Sequence, residues 1–422
     1  MGFLESFLGS IAAKYTIDLI KDVLNDMSND EGSGQLIFFK GRFQKVTSKF
    51  NIKKGKNIKL LEERIKQSDR LFKYYANEES LLASGEDIRI CYAHQLSFIP
   101  GSENYTDINN IHAQLAEDYD IDNILNINGY KDAAIKFRIN RGSIEPYEGS
   151  TVRLQSWESK TKFQISKSFY KDQFVTNQKE IVDIPLKDIL LDTTLEIPPR
   201  IREKSFRSLN AVDGKLKEFQ DSILSNTVGS AATVITSDGF LILPKRNKSV
   251  HFQSGYEGCS VSGVAEWTEA LLTDFILELQ NQLVNKEGPQ ELLLIPKKIT
   301  VHPLAFSREL ERAGKPQFFF HIWTNQSLSD FMSKWKISPF PSQEYDSIRW
   351  IQLYKPSNLN TPDKTITQII DRIGALINKD TIIKTQDGRP IVLSDEVRAN
   401  LFYLMAFLFY TRKDAFPKEW LS

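Results

Sequence analysis

The chain has 422 residues, with 54 basic and 54 acidic side chains and 41% hydrophobic residues. The balanced charge excludes a general nucleic-acid coat, which needs an excess of Lys and Arg, and the composition excludes a disordered or collagen-like chain. Two cysteines, Cys91 and Cys259, cannot build a disulfide framework or a cysteine zinc site, so a reducing compartment is expected.

Residues 3–27 read as an amphipathic helix. Leu4, Leu8, Ile11, Tyr15, Leu19 and Val23 share a face, and Lys14, Asp18, Lys21 and Asp22 exclude a membrane span. The helix serves either as core or as a detachable element for self-assembly. The apolar run 401–410 is also too short to span. The N-terminus has no basic leader, so a cytoplasmic location without a transmembrane segment is expected. From 40 to 59 there are eight basic residues and no acidic one, either a polyphosphate or nucleic-acid patch or a solvated face. A helix is expected over 59–83, strands over 88–92, 134–139, 151–155 and 163–170, and a helix near 109–118. Pro198-Pro199 places a domain boundary near 197–204.

The most informative stretch is 221–354. A small-residue and β-branched run at 230–236, then Asp238-Gly239 and 240–243, predicts a hairpin with a tight turn. Pro244-Lys245-Arg246 follows. A loop with Gly255, Gly258 and Gly263 leads into a helix over 265–284, whose apolar face is Trp267, Leu271, Leu272, Phe275, Leu279 and Leu283. Strands are expected at 291–302, 316–324 and 347–354. A helix over 364–378 follows Thr361-Pro362-Asp363, a turn falls at Gln386-Asp387-Gly388, and Ser394-Asp395 caps a closing apolar helix. His302 and His321 read as core or edge histidines rather than metal ligands, since no ligand spacing joins them.

Gly263, Glu269 six residues on, and Glu278 followed by Leu279 match parts of a longer pattern, together with the preceding hairpin and Arg246. Over residues 226–325 the chain resembles the Nudix superfamily. It is most similar to nucleotide-sugar-type domains and to the nucleotide-sensing Nudix domains of bacterial anti-phage signalling systems. The resemblance implies an α/β fold, a Nudix-like α/β/α sandwich. It departs from the family box at Leu277, Asn281, Gln282 and Val284, which stand where the box has Arg, two adjacent Glu and Gly. Metal-assisted pyrophosphate hydrolysis needs anionic oxygens around Mg²⁺ or Mn²⁺, and amides bring none.

The expectation is therefore an amphipathic N-terminal helix (1–28), an α+β domain (29–200), a Nudix-like domain (201–360) and a C-terminal helical segment (361–422). The Nudix-like part would bind a nucleotide or nucleotide-derived molecule without hydrolysis, as a sensor or effector. Arg246 and Arg308 are the expected phosphate clamps. Gly263 and Glu278 line the site, and Phe319 or Trp323 offers a stacking face. No catalytic residue and no cofactor are expected. Two alternatives stand beside it. A divergent nucleotide-sugar pyrophosphatase would hold Mg²⁺ or Mn²⁺ on Glu269 and Glu278, with carboxylates such as Glu257, Glu266 or Glu311 rebuilding the site. A scaffold would form a homo-oligomer through helix 3–27.

Overall fold

The computed structural model describes residues 36–37, 56–84, 88–102, 104–247, 254–335, 345–378, 382–384 and 390–420. The helix expected at 3–27, most of the basic run 40–59 and the turn at 386–388 lie outside them. In chain order the main elements begin with α1 (Lys56–Tyr74), β1 (Leu81–Ser84), β2 (Ile88–Ser97), β3 (His112–Leu115) and α2 (Tyr130–Asn140). Then come β4 (Ser150–Ser159), β5 (Lys162–Phe169) and α3 (Tyr170–Thr176). The central part holds β6 (Gly229–Thr236), β7 (Phe240–Arg246), β8 (Val261–Val264), α4 (Phe275–Gln282) and α5 (Gly288–Leu292). The chain continues with β9 (Ile299–Glu309), β10 (Lys315–Thr324), β11 (Tyr345–Gln352), α6 (Pro362–Ile377) and α7 (Asp395–Thr411).

The fold is mixed α/β. An eight-stranded sheet runs β11-β7-β6-β10-β9-β2-β1, with β8 also paired to β6. The β6–β10 pair is parallel and the others are antiparallel. Every residue of β6 and β10 is buried, so both faces of the sheet centre are covered. Period two divides the aromatic strand between two cores. Phe319 and Trp323 point into the layer made by α6 and α7. Phe318, Phe320 and Ile322 point the other way, against Phe275, Leu279 and Leu283 and the inner face of the small β3-β5-β4 sheet.

Several expectations are corrected. The boundary at 197–204 does not divide the sheet, because β1 and β2 from the expected N-terminal domain extend it beyond β9. Residues 134–139, read as a strand, belong to α2, where Tyr130, Ala134 and Arg138 are the buried face at spacings of four. The helix expected at 109–118 is a single 3₁₀ turn followed by β3, because that segment pairs in parallel with β5. The strand expected at 291–302 starts later, at Ile299, since Glu291 and Leu292 still belong to α5. Among the described residues no helix is long and apolar enough to cross a membrane.

The β6–β7 hairpin forms as expected. Gly239 has φ +85° and donates its N–H to Thr236 O at 2.9 Å, and its carbonyl accepts from Leu353 N at 2.8 Å. A Cβ there would collide with the Tyr354 carbonyl oxygen. Gly239→Ala is therefore expected to destabilise the chain by at least about 2 kcal/mol, from left-handed backbone strain plus displacement of the loop that follows β11. A urea unfolding curve measures it, and a midpoint unchanged from wild type would contradict the turn geometry.

Candidate functional site

A cleft of about 580 Å³ opens where β8, the helical segment behind it and the β9–β10 turn meet. Its basic lining is Arg246, Lys286, Arg312 and Lys315, and its acidic lining includes Glu266, Glu287, Glu291 and Glu396. Arg246 ends β7, where a register shift in the pairing with β11 turns the strand. Its guanidinium lies 5.9 Å from the centroid of the Tyr345 ring. The Tyr345 hydroxyl in turn donates to Glu291 at 3.0 Å.

Glu291 also accepts the Ser262 N–H at 2.8 Å, which fastens α5 to β8. Between α4 and α5 the residues Leu283–Glu287 take a π-helical register. This wider turn carries the chain into Gly288-Pro289, and Pro289 sits in the first turn of α5, where a missing N–H costs little. Glu287 and Glu291 are thus four residues apart on a helical segment beside Gly263. A Cβ on Gly263 would come within 2.8 Å of the Glu287 carboxylate. Lys286 forms an ion pair with Glu266.

The other wall holds the buried charges. Arg312 is bound by Glu309 through Nε at 2.8 Å and Nη2 at 2.5 Å. Lys315 is buried and donates to Gln317 Oε1 at 3.0 Å. Burial first, and the neighbouring Arg312 second, push its amine down to about 7. Tyr147 and Tyr170 stack at the cleft with ring centroids 4.5 Å apart.

The structure brings together two of the five expected ligand-binding residues, Arg246 and Gly263. The other three lie elsewhere. Glu278 accepts Thr268 Oγ1 at 3.0 Å and Gln282 Nε2 at 3.1 Å, so it ties α4 to the loop before it. Arg308 is a buried residue of β9 stacked 4.2 Å from the centroid of Phe219, and burial pushes its guanidinium down to about 10. Phe319 is fully buried between Tyr92 and Tyr403, with no face for a base, and Trp323 is equally enclosed. Glu269 is exposed before the short helix Ala270–Thr273.

Of the carboxylates offered as replacements, Glu266 reaches the cleft. Glu257 accepts Val392 N–H at 2.8 Å in the interior, and Glu311 is paired with Lys179 at 2.6 Å in a separate cleft. Among the described residues no group of three or more His, Cys, Asp or Glu is arranged to hold a metal ion. The carboxylates near Gly263 are also engaged: Glu266 holds Lys286, and Glu291 holds Ser262 and Tyr345.

Sequence reasoning missed Glu287, Glu291, Arg312, Lys315 and the Tyr147–Tyr170 pair. The four-residue spacing of Glu287 and Glu291 was a usable signal, but Gly288-Pro289 between them reads as a helix break.

No family model matches the chain, and no curated protein does. Among solved structures, DR0079 from Deinococcus radiodurans is similar over 35% of this chain and 73% of its own, at 15% identity and a TM-score of 0.23. At that level the chemistry of the cleft rests on this chain's own residues.

Proposed function

We propose that the chain binds a nucleotide or nucleotide-derived molecule in this cleft without hydrolysing it. It would act as the ligand-sensing component of a signalling system, with bacterial anti-phage signalling as the setting that the sequence resemblance implies. One observation carries the reading. Arg246, Arg312 and Lys315 converge on a cleft whose mouth holds stacked tyrosines, while the carboxylates beside Gly263 are taken by internal partners. Arginine's planar fork and a buried amine suit phosphate oxygens. A flat aromatic surface suits a base.

Mass spectrometry of small molecules released from the purified, denatured chain is expected to find a nucleotide. Incubation with Mg²⁺ and a panel of nucleoside diphosphate sugars and dinucleotides is expected to give no metal-dependent turnover. Turnover that disappears in Glu287→Gln would replace this reading with the pyrophosphatase one. That alternative is favoured by a single feature, the placement of Glu287 and Glu291 beside Gly263.

A further inference from the structure

We propose that the cleft wall made by Tyr147, Tyr170, Gln173 and Gln178 reads the 6-amino edge of an adenine base. The proposal rests on the nucleotide-binding reading above and adds the identity of the base. Tyr170 and Gln173 are three residues apart on α3, so one helix face carries both to the cleft. Tyr147 stacks on Tyr170 with the ring planes at 24° yet stays 54% exposed, which leaves an aromatic surface for a flat ring.

Gln173 and Gln178 are 1% and 2% exposed, and neither amide oxygen has a hydrogen-bond partner among the described residues. A buried acceptor of this kind is destabilising until a donor reaches it. A glutamine amide sets an acceptor beside a donor, the complement of the N6 donor and N7 acceptor of adenine. A keto group at the same position would set lone pair against lone pair. The cations of the same cleft would take the phosphates.

The test is equilibrium titration of the full chain with adenosine, inosine, cytidine and uridine triphosphates and with inorganic tripolyphosphate, all in EDTA. Adenosine triphosphate is expected to bind about ten-fold or more tightly than inosine triphosphate, which differs in the 6-substituent. Gln173→Leu is expected to narrow that ratio. If the variant does not fold, the comparison on the unaltered chain decides alone. Equal affinity for the adenosine and inosine compounds, or a preference for a pyrimidine, would overturn the adenine assignment and leave nucleotide binding standing. No binding of any triphosphate or of tripolyphosphate would overturn both.

Discussion

Replacing Arg398 by alanine is expected to destabilise the chain by about 3–5 kcal/mol, the usual cost of stranding a buried charge. Arg398 is fully buried on α7 and ties three elements together. Its Nε and Nη2 donate to the Ile377 carbonyl at the end of α6, at 3.0 and 2.7 Å. Its Nη1 donates to Arg89 O on β2 at 2.7 Å and to Asp395 at 2.5 Å. Asp395 also accepts Cys91 N–H and Ser68 Oγ, each at 3.3 Å. Burial alone would raise its carboxyl, but Arg398 and Arg64 hold it below the ordinary value.

A carboxyl lowered in the native state contributes stability that is fully present above its unfolded value of about 3.9 and is lost as pH falls through the native value. In Arg398→Ala burial is left to raise that carboxyl, so this acid-side loss is expected to shrink or reverse. The double variant Arg398→Met with Asp395→Asn is expected to recover much of the loss, because it removes the orphaned charge. Urea midpoints as a function of pH measure both. A single variant within about 0.5 kcal/mol of wild type, the usual surface effect, would contradict the stranded-charge account.

Replacing Lys315 by methionine is expected to stabilise the ligand-free chain by about 1–4 kcal/mol at pH 7 and below, and to weaken nucleotide binding by ten-fold or more. The amine is buried and held down to about 7, against about 10.4 in an unfolded chain. Between those values the unfolded state carries more protons. Wild-type stability should therefore rise as pH climbs from about 7 towards 10, and the methionine variant should lose that slope. An anionic ligand favours the charged amine, so wild-type affinity is expected to fall as pH rises above about 7. Thermal unfolding and calorimetric titration across pH 6–9 would measure the two effects. A variant that is less stable and binds equally well would show that Lys315 is held for packing rather than for ligand.

Gln282, which the sequence resemblance would set where a box carboxylate stands, has a structural task of its own in three dimensions. Gln282 accepts the Glu266 N–H at 2.9 Å and donates to the Glu266 carbonyl at 3.0 Å. A carboxylate cannot do both, since it has no donor when ionised. Neutrality at 282 is thus demanded by the loop that Gln282 fastens, whatever the history of the site. The sequence pattern aligned Glu269 and Glu278 by spacing. The irregular path from Asp274 to Leu292 instead carries Glu287 and Glu291 to Gly263.

The sequence by itself determined the β6–β7 hairpin, the aromatic strand β10, helix α6, the serine-capped helix α7, and the nearness of Arg246 and Gly263, which line one cleft. Each rests on local chemistry: a turn glycine, an apolar run, a capping serine, a short separation along the chain. Tertiary structure alone decided that β1 and β2 join the central sheet, that Arg308 and Phe319 are interior, and that Tyr170, Glu291, Arg312 and Lys315 face one cleft. Those outcomes depend on pairings between residues far apart in sequence. Periodicity shows which face of an element is apolar, but the partner that covers the face is chosen by packing across the whole molecule.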